Sequence, residues 1–246
     1  MPSVEPILGR ETVMIYKCLT CSALGFLFAV TSASADMGEL LTNGEEWEGN
    51  DGEKTVVEPF GENQNWNAII LEFGGQLRTP SSYKADANGF RQFMIDSGVT
   101  EYDPIDIITP PSPDIAKKCG VKYLLPARSE WTKGAAITLW AESIASVAGE
   151  KPTILNWYRT PCYNKAVGGV SGSDHISARS ADLDFQYDTS RRRAQNWLCK
   201  YWKSSLNMQI GLGASVIHLG SQSPRGKRNW FYPSYQDGDI GKTCFD

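Results

Sequence analysis

Histidine and basic residues are both scarce in this chain. Only two histidines occur among the 246 residues, His175 and His218, so any chemistry that needs an imidazole depends on these two. Lysine and arginine number 24 against 28 acidic residues, which gives a net charge of −4, and no long basic stretch occurs. The lack of a basic stretch argues against a nucleic-acid partner.

The chain also lacks a hydrophobic run near its start that is long enough to span a bilayer. Residues 23–30 (ALGFLFAV) form a short apolar run, and residues 33–35 (ASA) match the cleavage signature of a signal peptide. We therefore predict a signal peptide over residues 1–35, with Met14 as an alternative start. The expected product is exported, periplasmic or secreted, with no stable membrane insertion. The alternative is an apolar segment that stays as a membrane anchor.

Four cysteines remain after residue 35, and no two of them form a Cys-x-x-Cys pair. They are Cys119, Cys162, Cys199 and Cys244. In an oxidising compartment an even number predicts two disulfides, and the sequence leaves the pairing open. A four-cysteine zinc site is the alternative interpretation, although such sites usually contain closely spaced cysteine pairs.

The pattern of apolar residues predicts an α+β fold. Residues 36–62 are rich in acidic residues and glycine and indicate a flexible leader. Residues 66–73 (WNAIILEF) favour a buried strand, and Ser129 is positioned to cap a helix that Gly149 ends. Strands are expected near 153–158, 181–187 and 213–220. In the second of these strands, alternation places Asp182 and Asp184 on one face.

A candidate metal site stands out in the second half of the chain. His175 lies in a Ser-x-His pattern that begins at Ser173, and Asp182 follows seven residues after His175. His218 lies on a separate strand-like run and could supply a third ligand. Two imidazoles and one carboxylate leave the fourth position of tetrahedral zinc open to water, which is the arrangement of catalytic zinc sites.

Residues 157–175 (WYRTPCYNKAVGGVSGSDH), continued to Asp182, resemble the zinc D-Ala-D-Ala carboxypeptidase family. The match is to its branch of small peptidoglycan peptidases with a Hedgehog-like fold. That family has an aromatic-Arg-(Ser/Thr)-Pro run, then Tyr-Asn, Ala-Val-Gly-Gly and Ser-x-His-x-x-Gly-x-Ala-x-Asp. This chain departs from it at Ala178, where glycine is usual, and at Ser180, where alanine is usual. Residues 216–219 (VIHL) resemble the family's later histidine strand.

The resemblance covers about residues 130–232 and implies a small antiparallel sheet flanked by helices, in a domain over residues 129–246. From the length of the mature chain we expect an N-terminal extension over residues 63–128, packed against that domain. It implies zinc as the cofactor, bound by His175, Asp182 and His218. It also implies that Arg159 and Ser173 contact the substrate, with Arg159 at a peptide carboxylate. The implied activity is hydrolysis of peptidoglycan stem peptides, as a D,D-carboxypeptidase or an endopeptidase, by zinc-activated water. The sequence does not indicate an oligomeric state.

The general base that the family places beside the third ligand is missing here. No Asp or Glu occurs from Thr189 to Gln236. Asp184 is the leading candidate base, and Asp174, Asp237 and Asp239 are alternatives that could enter from loops. Two further hypotheses remain open at this stage. The protein could be a non-catalytic, zinc-containing module that binds peptidoglycan, or a disulfide-stabilised structural protein without zinc.

Overall fold

The computed structural model describes residues 65–205, 207–235 and 245, which all belong to one compact unit. The predicted signal peptide and acidic leader lie outside the described residues, as do Cys244, Asp237 and Asp239. The helices are α1 (Trp66–Glu72), α2 (Ala87–Asp96), α3 (Pro104–Ile108), α4 (Pro113–Lys118), α5 (Trp131–Ala148), α6 (Pro161–Ala166) and α7 (Asp188–Ser204). The strands are β1 (Thr153–Asn156), β2 (Ser180–Asp184), β3 (Met208–Leu212), β4 (Val216–Ser221) and β5 (Arg228–Phe231). Within these residues, no helix combines the length and the apolar character that a membrane crossing needs.

The five strands form one mixed sheet in the order β1-β2-β4-β3-β5. The pairs β1–β2, β2–β4 and β4–β3 are antiparallel, whereas β5 runs parallel to β3 at the edge. The α+β class is confirmed, but the expectation of a purely antiparallel sheet is wrong. A strand that runs parallel to its neighbour needs a connection back across the sheet, and here β4 and the loop after it supply that connection.

One face of the sheet packs on helices, and the other face is polar. Side chains alternate between the two faces along each strand. Leu183 of β2, Ile210 of β3 and Leu219 of β4 are buried in the same hydrophobic cluster as residues of α5 and α7. The residues between them in sequence, including Asp182 and His218, therefore lie on the opposite face. This alternation separates the hydrophobic core from the candidate site.

Helix α5 is the main support of the core. It contacts α1, α2, α7 and β2, and apolar residues around most of its circumference are buried. Gly134 lets the helix approach Trp157 closely, because a Cβ atom there would lie 2.7 Å from Trp157 Cη2. Gly149 ends the helix in the left-handed region, with φ of 69°, as expected. Ser129 lies in a short 3-10 turn before the helix and does not cap it, so that expectation is wrong.

Residues 66–73 were expected to form a strand, and this expectation is also wrong. Residues Trp66–Glu72 form α1, whose first turn is capped by the side chain of Asn65, which accepts a hydrogen bond of 2.9 Å from Ala68 N–H. Ile69 and Ile70 are buried whereas Leu71 is exposed, so only one stripe of the run faces the core. A short apolar run does not distinguish a buried strand from a helix that packs one stripe against a neighbour.

The predicted disulfide bonding is confirmed for Cys119 and Cys162. Cys119 directly follows α4 and is bonded to Cys162 of α6. Cys199 is also disulfide-bonded. The four-cysteine zinc site is therefore wrong, because a disulfide sulfur is not a thiolate ligand. The bond between Cys119 and Cys162 holds α6, the helix that begins two residues after Arg159, against α4.

Removing this disulfide is expected to destabilise the protein considerably. The bonded cysteines are 43 residues apart, and closing a loop of that length lowers the entropy of the unfolded chain by the equivalent of about 4 kcal/mol. The double variant Cys119→Ala with Cys162→Ala should lose about that much free energy of unfolding, as measured by urea denaturation without reductant. A loss below about 1 kcal/mol would contradict this expectation. With reductant present, the wild type and the variant should unfold at nearly the same urea concentration.

Glu72 at the end of α1 gives the fold a predictable pH dependence. Its carboxylate accepts a hydrogen bond of 2.6 Å from the Tyr201 hydroxyl of α7. Burial raises the pKa of Glu72 from 4.5 to about 7, although the Tyr201 hydrogen bond partly opposes the increase. The folded protein therefore holds this proton more tightly than the unfolded chain does. The contribution of Glu72 to the free energy of unfolding is fully present below pH 4.5 and is lost as the pH rises through about 7.

The variant Glu72→Gln should remove this dependence. The free energy of unfolding of the wild type should fall relative to that of the variant as the pH rises from 4.5 to 7. Solvent reaches much of Glu72, so the difference should be smaller than the full pKa shift implies. Urea denaturation across this pH range measures the difference. Glu101→Gln, at an exposed position, is the matched control. If the free energies of unfolding of the wild type and Glu72→Gln change in parallel with pH, Glu72 does not cause the pH dependence.

Candidate metal centre

His175 is positioned by a short turn rather than by a strand. It lies in the 3-10 turn Asp174–Ser177, and its Nδ1 atom is 3.1 Å from the carbonyl oxygen of Trp157. Because a carbonyl only accepts hydrogen bonds, Nδ1 carries the proton and Nε2 keeps its lone pair. Trp157 is itself buried against α5, and its indole N–H donates to the carbonyl of Ala178. The core thereby fixes both the position and the tautomer of this imidazole.

Ala178 has a backbone conformation that is uncommon for residues other than glycine. It ends the turn in the left-handed region, with φ of 55°, and it is fully buried. Glycine adopts this conformation without strain. Alanine retains the turn here, at a small cost in backbone energy.

Asp182 and His218 face each other across two neighbouring strands. Asp182 of β2 pairs directly with His218 of β4 in the sheet register. The Oδ1 atom of Asp182 lies 2.9 Å from His218 Nδ1 and 3.3 Å from His175 Nε2, and the two imidazole rings are 4.9 Å apart. All three side chains are buried, and one potential ligand atom from each lies within 4.8 Å of the others. This group could hold a metal ion.

Electrostatics at the site lower the pKa of both Asp182 and His218. Burial opposes ionisation of Asp182, but the positive charge that His175 and His218 carry when protonated, together with their hydrogen bonds to the carboxylate, holds the pKa of its carboxyl well below the usual range. Burial lowers the pKa of His218, although its hydrogen bond to Asp182 opposes this decrease. An ionised carboxylate and a neutral imidazole are the forms that coordinate a metal ion.

Arg159 is held by the same carboxylate. Its Nη2 atom donates a hydrogen bond of 2.5 Å to Asp182 Oδ2, the oxygen that does not face the imidazoles. The Arg159 side chain is only 13% exposed. The structure thus places Arg159 beside Asp182, with one end of its guanidinium committed to that carboxylate. Its contact with a substrate stays a prediction.

Ser173 and Asp184 lie two residues from His175 and Asp182 in sequence, but they are not part of the group that could hold a metal ion. Ser173 directly precedes the turn that carries His175, and it is half-buried. Asp184 ends β2, where it pairs with Thr153 and Val216, and it is also half-buried. It lies on the same face as Asp182, two residues further along the strand, as the alternation predicts. Its role as a base stays a prediction.

Two aromatic residues complete the site, Trp230 of β5 and Tyr232 directly after that strand. The position of Trp230 after His218 in the sequence suggests that it could rim the cleft, whereas the sequence does not indicate Tyr232. Trp230 pairs with Gly211 of β3, and its ring lies 4.8 Å from the His218 ring. A Cβ atom at position 211 would lie 2.4 Å from Trp230 Cε2, so the indole occupies the space that glycine leaves. Tyr232 follows β5 and would lie 3.4 Å from a Cβ at Gly213. A further sequence signal is Gly211 on β3, because a glycine within a strand often marks a place where another group approaches the backbone closely.

Tyr232 is near enough to the centre to be affected by its charges. Burial and the negative charge of Asp182 raise the pKa of Tyr232 to about 12, while a hydrogen bond with Trp230 and the charge of Arg159 oppose the increase. The phenol therefore stays protonated at neutral pH and can act as a hydrogen-bond donor.

Asp174, an alternative base in the sequence analysis, has a structural role. Its side chain is buried and accepts a hydrogen bond of 2.8 Å from Ser223 Oγ. Arg225 and Arg228 also donate to it, from the loop between β4 and β5 and from the first residue of β5. These contacts attach the loop after the third ligand to the turn that carries the first.

A comparison with protein-family models, with curated proteins and with solved structures found no match to this chain. The resemblance to the zinc D-Ala-D-Ala carboxypeptidase family therefore depends on the sequence motif alone. The geometry of His175, Asp182 and His218 is an independent observation on the same residues.

Adding a methyl group at Gly211 should disturb the site through Trp230. In Gly211→Ala the indole must move away from the position where it packs on His218, and we expect a destabilisation of about 1–3 kcal/mol, typical of overpacking. Tryptophan fluorescence and urea denaturation measure both effects. Gly172→Ala is the matched control, since a Cβ there has no atom within 4 Å. If Gly211→Ala and Gly172→Ala have the same stability, Trp230 does not depend on this glycine.

Proposed function

We propose that this protein is an exported zinc metallopeptidase that hydrolyses peptide bonds in peptidoglycan stem peptides. The observation that carries the proposal is the convergence of two imidazoles and one carboxylate at a buried site. The stem-peptide substrate comes from the motif resemblance. Export is supported by the signal-peptide pattern and by the Cys119–Cys162 disulfide, since disulfides form in oxidising compartments.

The donor set fits zinc. Ligand atoms that bind tetrahedral zinc at about 2.0–2.1 Å are about 3.3 Å from one another. Asp182 Oδ1 lies 3.3 Å and 2.9 Å from the two imidazole nitrogens, and all three ligand atoms lie within 4.8 Å of one another. Side-chain movement alone would bring them to the distances that the ion requires. The Nδ1–H group of His175 also donates a hydrogen bond to the carbonyl of Trp157, and such a contact commonly orients a zinc-bound imidazole.

Bound zinc would polarise the scissile carbonyl and lower the pKa of a water molecule toward about 7. The side chains of the chain supply the remaining functions. Arg159 fixes the orientation of Asp182 through Oδ2, and Tyr232 supplies a protonated hydroxyl whose pKa is raised by burial and by the charge of Asp182. The proposed base is Asp184, whose carboxylate would take a proton from the attacking water and return it to the leaving amine.

A non-catalytic module that binds peptidoglycan is the second candidate. It is favoured by the composition of the group that could hold the metal. In the part of the chain that the structure describes, this group contains His175, Asp182 and His218 and no second carboxylate that could act as a base. The sequence agrees, because no acidic residue occurs from Thr189 to Gln236. Such a module would bind zinc and stem peptides without hydrolysing them.

Mass spectrometry of muropeptides separates these two candidates. The zinc-loaded mature chain should release a terminal D-alanine or split cross-linked dimers, while His218→Ala should lose both zinc and hydrolysis because it removes a ligand. Asp184→Asn should keep about one equivalent of zinc but hydrolyse at least about a hundredfold more slowly. Unchanged muropeptides with zinc bound would favour the binding module. Hydrolysis by Asp184→Asn at the wild-type rate would exclude Asp184 as the base.

A further inference from the structure

The chain on the third-ligand side of the site is positively charged. From Thr189 to Gln236 the sequence contains no acidic residue, and the loop after β4 together with the start of β5 carries Arg225, Lys227 and Arg228. Any negative charge that meets these residues must come from another part of the chain or from a ligand. In the described residues, Asp174 supplies one such charge.

Arg225 and Arg228 converge on a single oxygen atom. Their Nη2 atoms lie 3.0 Å and 2.5 Å from Asp174 Oδ2, while Ser223 binds the other oxygen of that carboxylate. One carboxylate balances only one of the two guanidinium groups, so the cluster keeps a positive charge. Burial and the charge of Arg225 lower the pKa of Arg228, which agrees with repulsion between the two arginines.

The two guanidinium groups keep hydrogen-bonding capacity and access to solvent. Each donates a single side-chain hydrogen bond within the described residues, through Nη2 to Asp174. Their side chains are 41% and 27% exposed. Arg228 Nε is buried, but a small anion could reach the solvent-exposed N–H donors of the two side chains without displacing Asp174.

The cluster also lies beside the metal centre. The Arg228 guanidinium is 5.0 Å from the centre of the Trp230 ring, and the same ring is 4.8 Å from His218. Asp174 directly precedes His175 in the turn. Arg159, which the resemblance assigns to a substrate carboxylate, is partly committed to Asp182. A second cationic group that can bind a carboxylate is thus available one side chain away from the third ligand.

We propose that Arg225 and Arg228 form an anion subsite that binds a carboxylate of the peptide ligand. The identity of that ligand as a stem peptide rests on the proposed function. Guanidinium groups suit this role because their planar N–H donors match the two oxygens of a carboxylate. The subsite would favour peptides that carry a free carboxylate near the bond held at the metal centre over the same peptides with that group amidated.

Calorimetry with N-acetyl-D-alanyl-D-alanine and its C-terminal amide tests the subsite, and the chelator-treated chain allows the test without hydrolysis. Both probes are titrated into the chelator-treated mature chain and into the zinc-loaded chain. The acid should bind at least about tenfold more tightly than the amide, as expected for hydrogen bonds between charged groups. Arg225→Gln should reduce this preference to about twofold or less, because it removes the more exposed of the two guanidinium groups. Asp174 should stay in place in this variant, because it keeps its hydrogen bonds from Ser223 and Arg228.

Lys227→Gln is the matched control, because it removes the same charge from the same segment. The Lys227 ammonium lies 4.1 Å from the centre of the Trp202 ring and donates to the carbonyl of Lys203, away from Asp174. This variant should keep the preference for the acid, and Arg225→Lys should keep part of it. Circular dichroism verifies that every variant folds.

Equal affinity for acid and amide in the wild type would overturn the proposal, as would binding of neither probe or a preference that survives Arg225→Gln. These outcomes are distinguishable from failure of the proposed function. A protein that prefers the acid but leaves muropeptides intact retains the subsite without the peptidase activity. A protein that cleaves muropeptides but shows no preference retains the activity without the subsite.

Discussion

The arrangement of the candidate metal centre depends on one buried carboxylate, that of Asp182. One of its oxygens faces both imidazoles, and the other accepts a hydrogen bond from Arg159. An unpaired buried charge is costly, and here three other chain segments bring partners to it. Loss of any one partner would leave part of that charge unbalanced. The turn with His175, the strands β2 and β4 and the segment after β1 are therefore energetically linked through a single side chain.

The sheet allows this polar cluster to be buried without disrupting the core. Its apolar face takes the packing against α5 and α7, and its polar face carries Asp182 and His218. Gly211 on β3 leaves space on the polar face for the Trp230 ring, which packs 4.8 Å from the His218 ring. Enclosure by an aromatic ring lowers the local polarity, which strengthens the interactions among the ligands. The core and the site use the same strands but do not compete for the same side chains.

The parts of the fold that could be predicted from sequence are those encoded locally. The residues His175 and Asp182 are close in the chain, and their residue types and the alternation in β2 are enough to suggest that both point to one site. The end of α5 at Gly149 is likewise a local feature. The Asn65-capped helix α1 was taken for a strand because its apolar residues are consecutive, and the packing against α5 that selects the helix is a tertiary contact.

The role of β5 could not be predicted, and the reason is physical. This strand has four residues, two of them polar, and it is held by parallel pairing with β3. Nothing in its own periodicity indicates a strand, since the pairing partner determines it. The same holds for Asp174, which sequence reasoning treated as a candidate base. Its buried contacts with Ser223, Arg225 and Arg228 come from residues at least 49 positions away.

The charges around the site limit the ligands that it can accept. Asp174 and Asp182 are two carboxylates, and Arg159, Arg225 and Arg228 are three guanidinium groups, so these five side chains carry one surplus positive charge when the imidazoles are neutral. A divalent ion would raise that surplus to three. Coulomb repulsion at partly buried positions then disfavours a cationic group next to the ion and favours an anionic one. The absence of acidic residues from Thr189 to Gln236 removes a base from its usual place, and it also means that this segment supplies no negative charge to reduce the surplus.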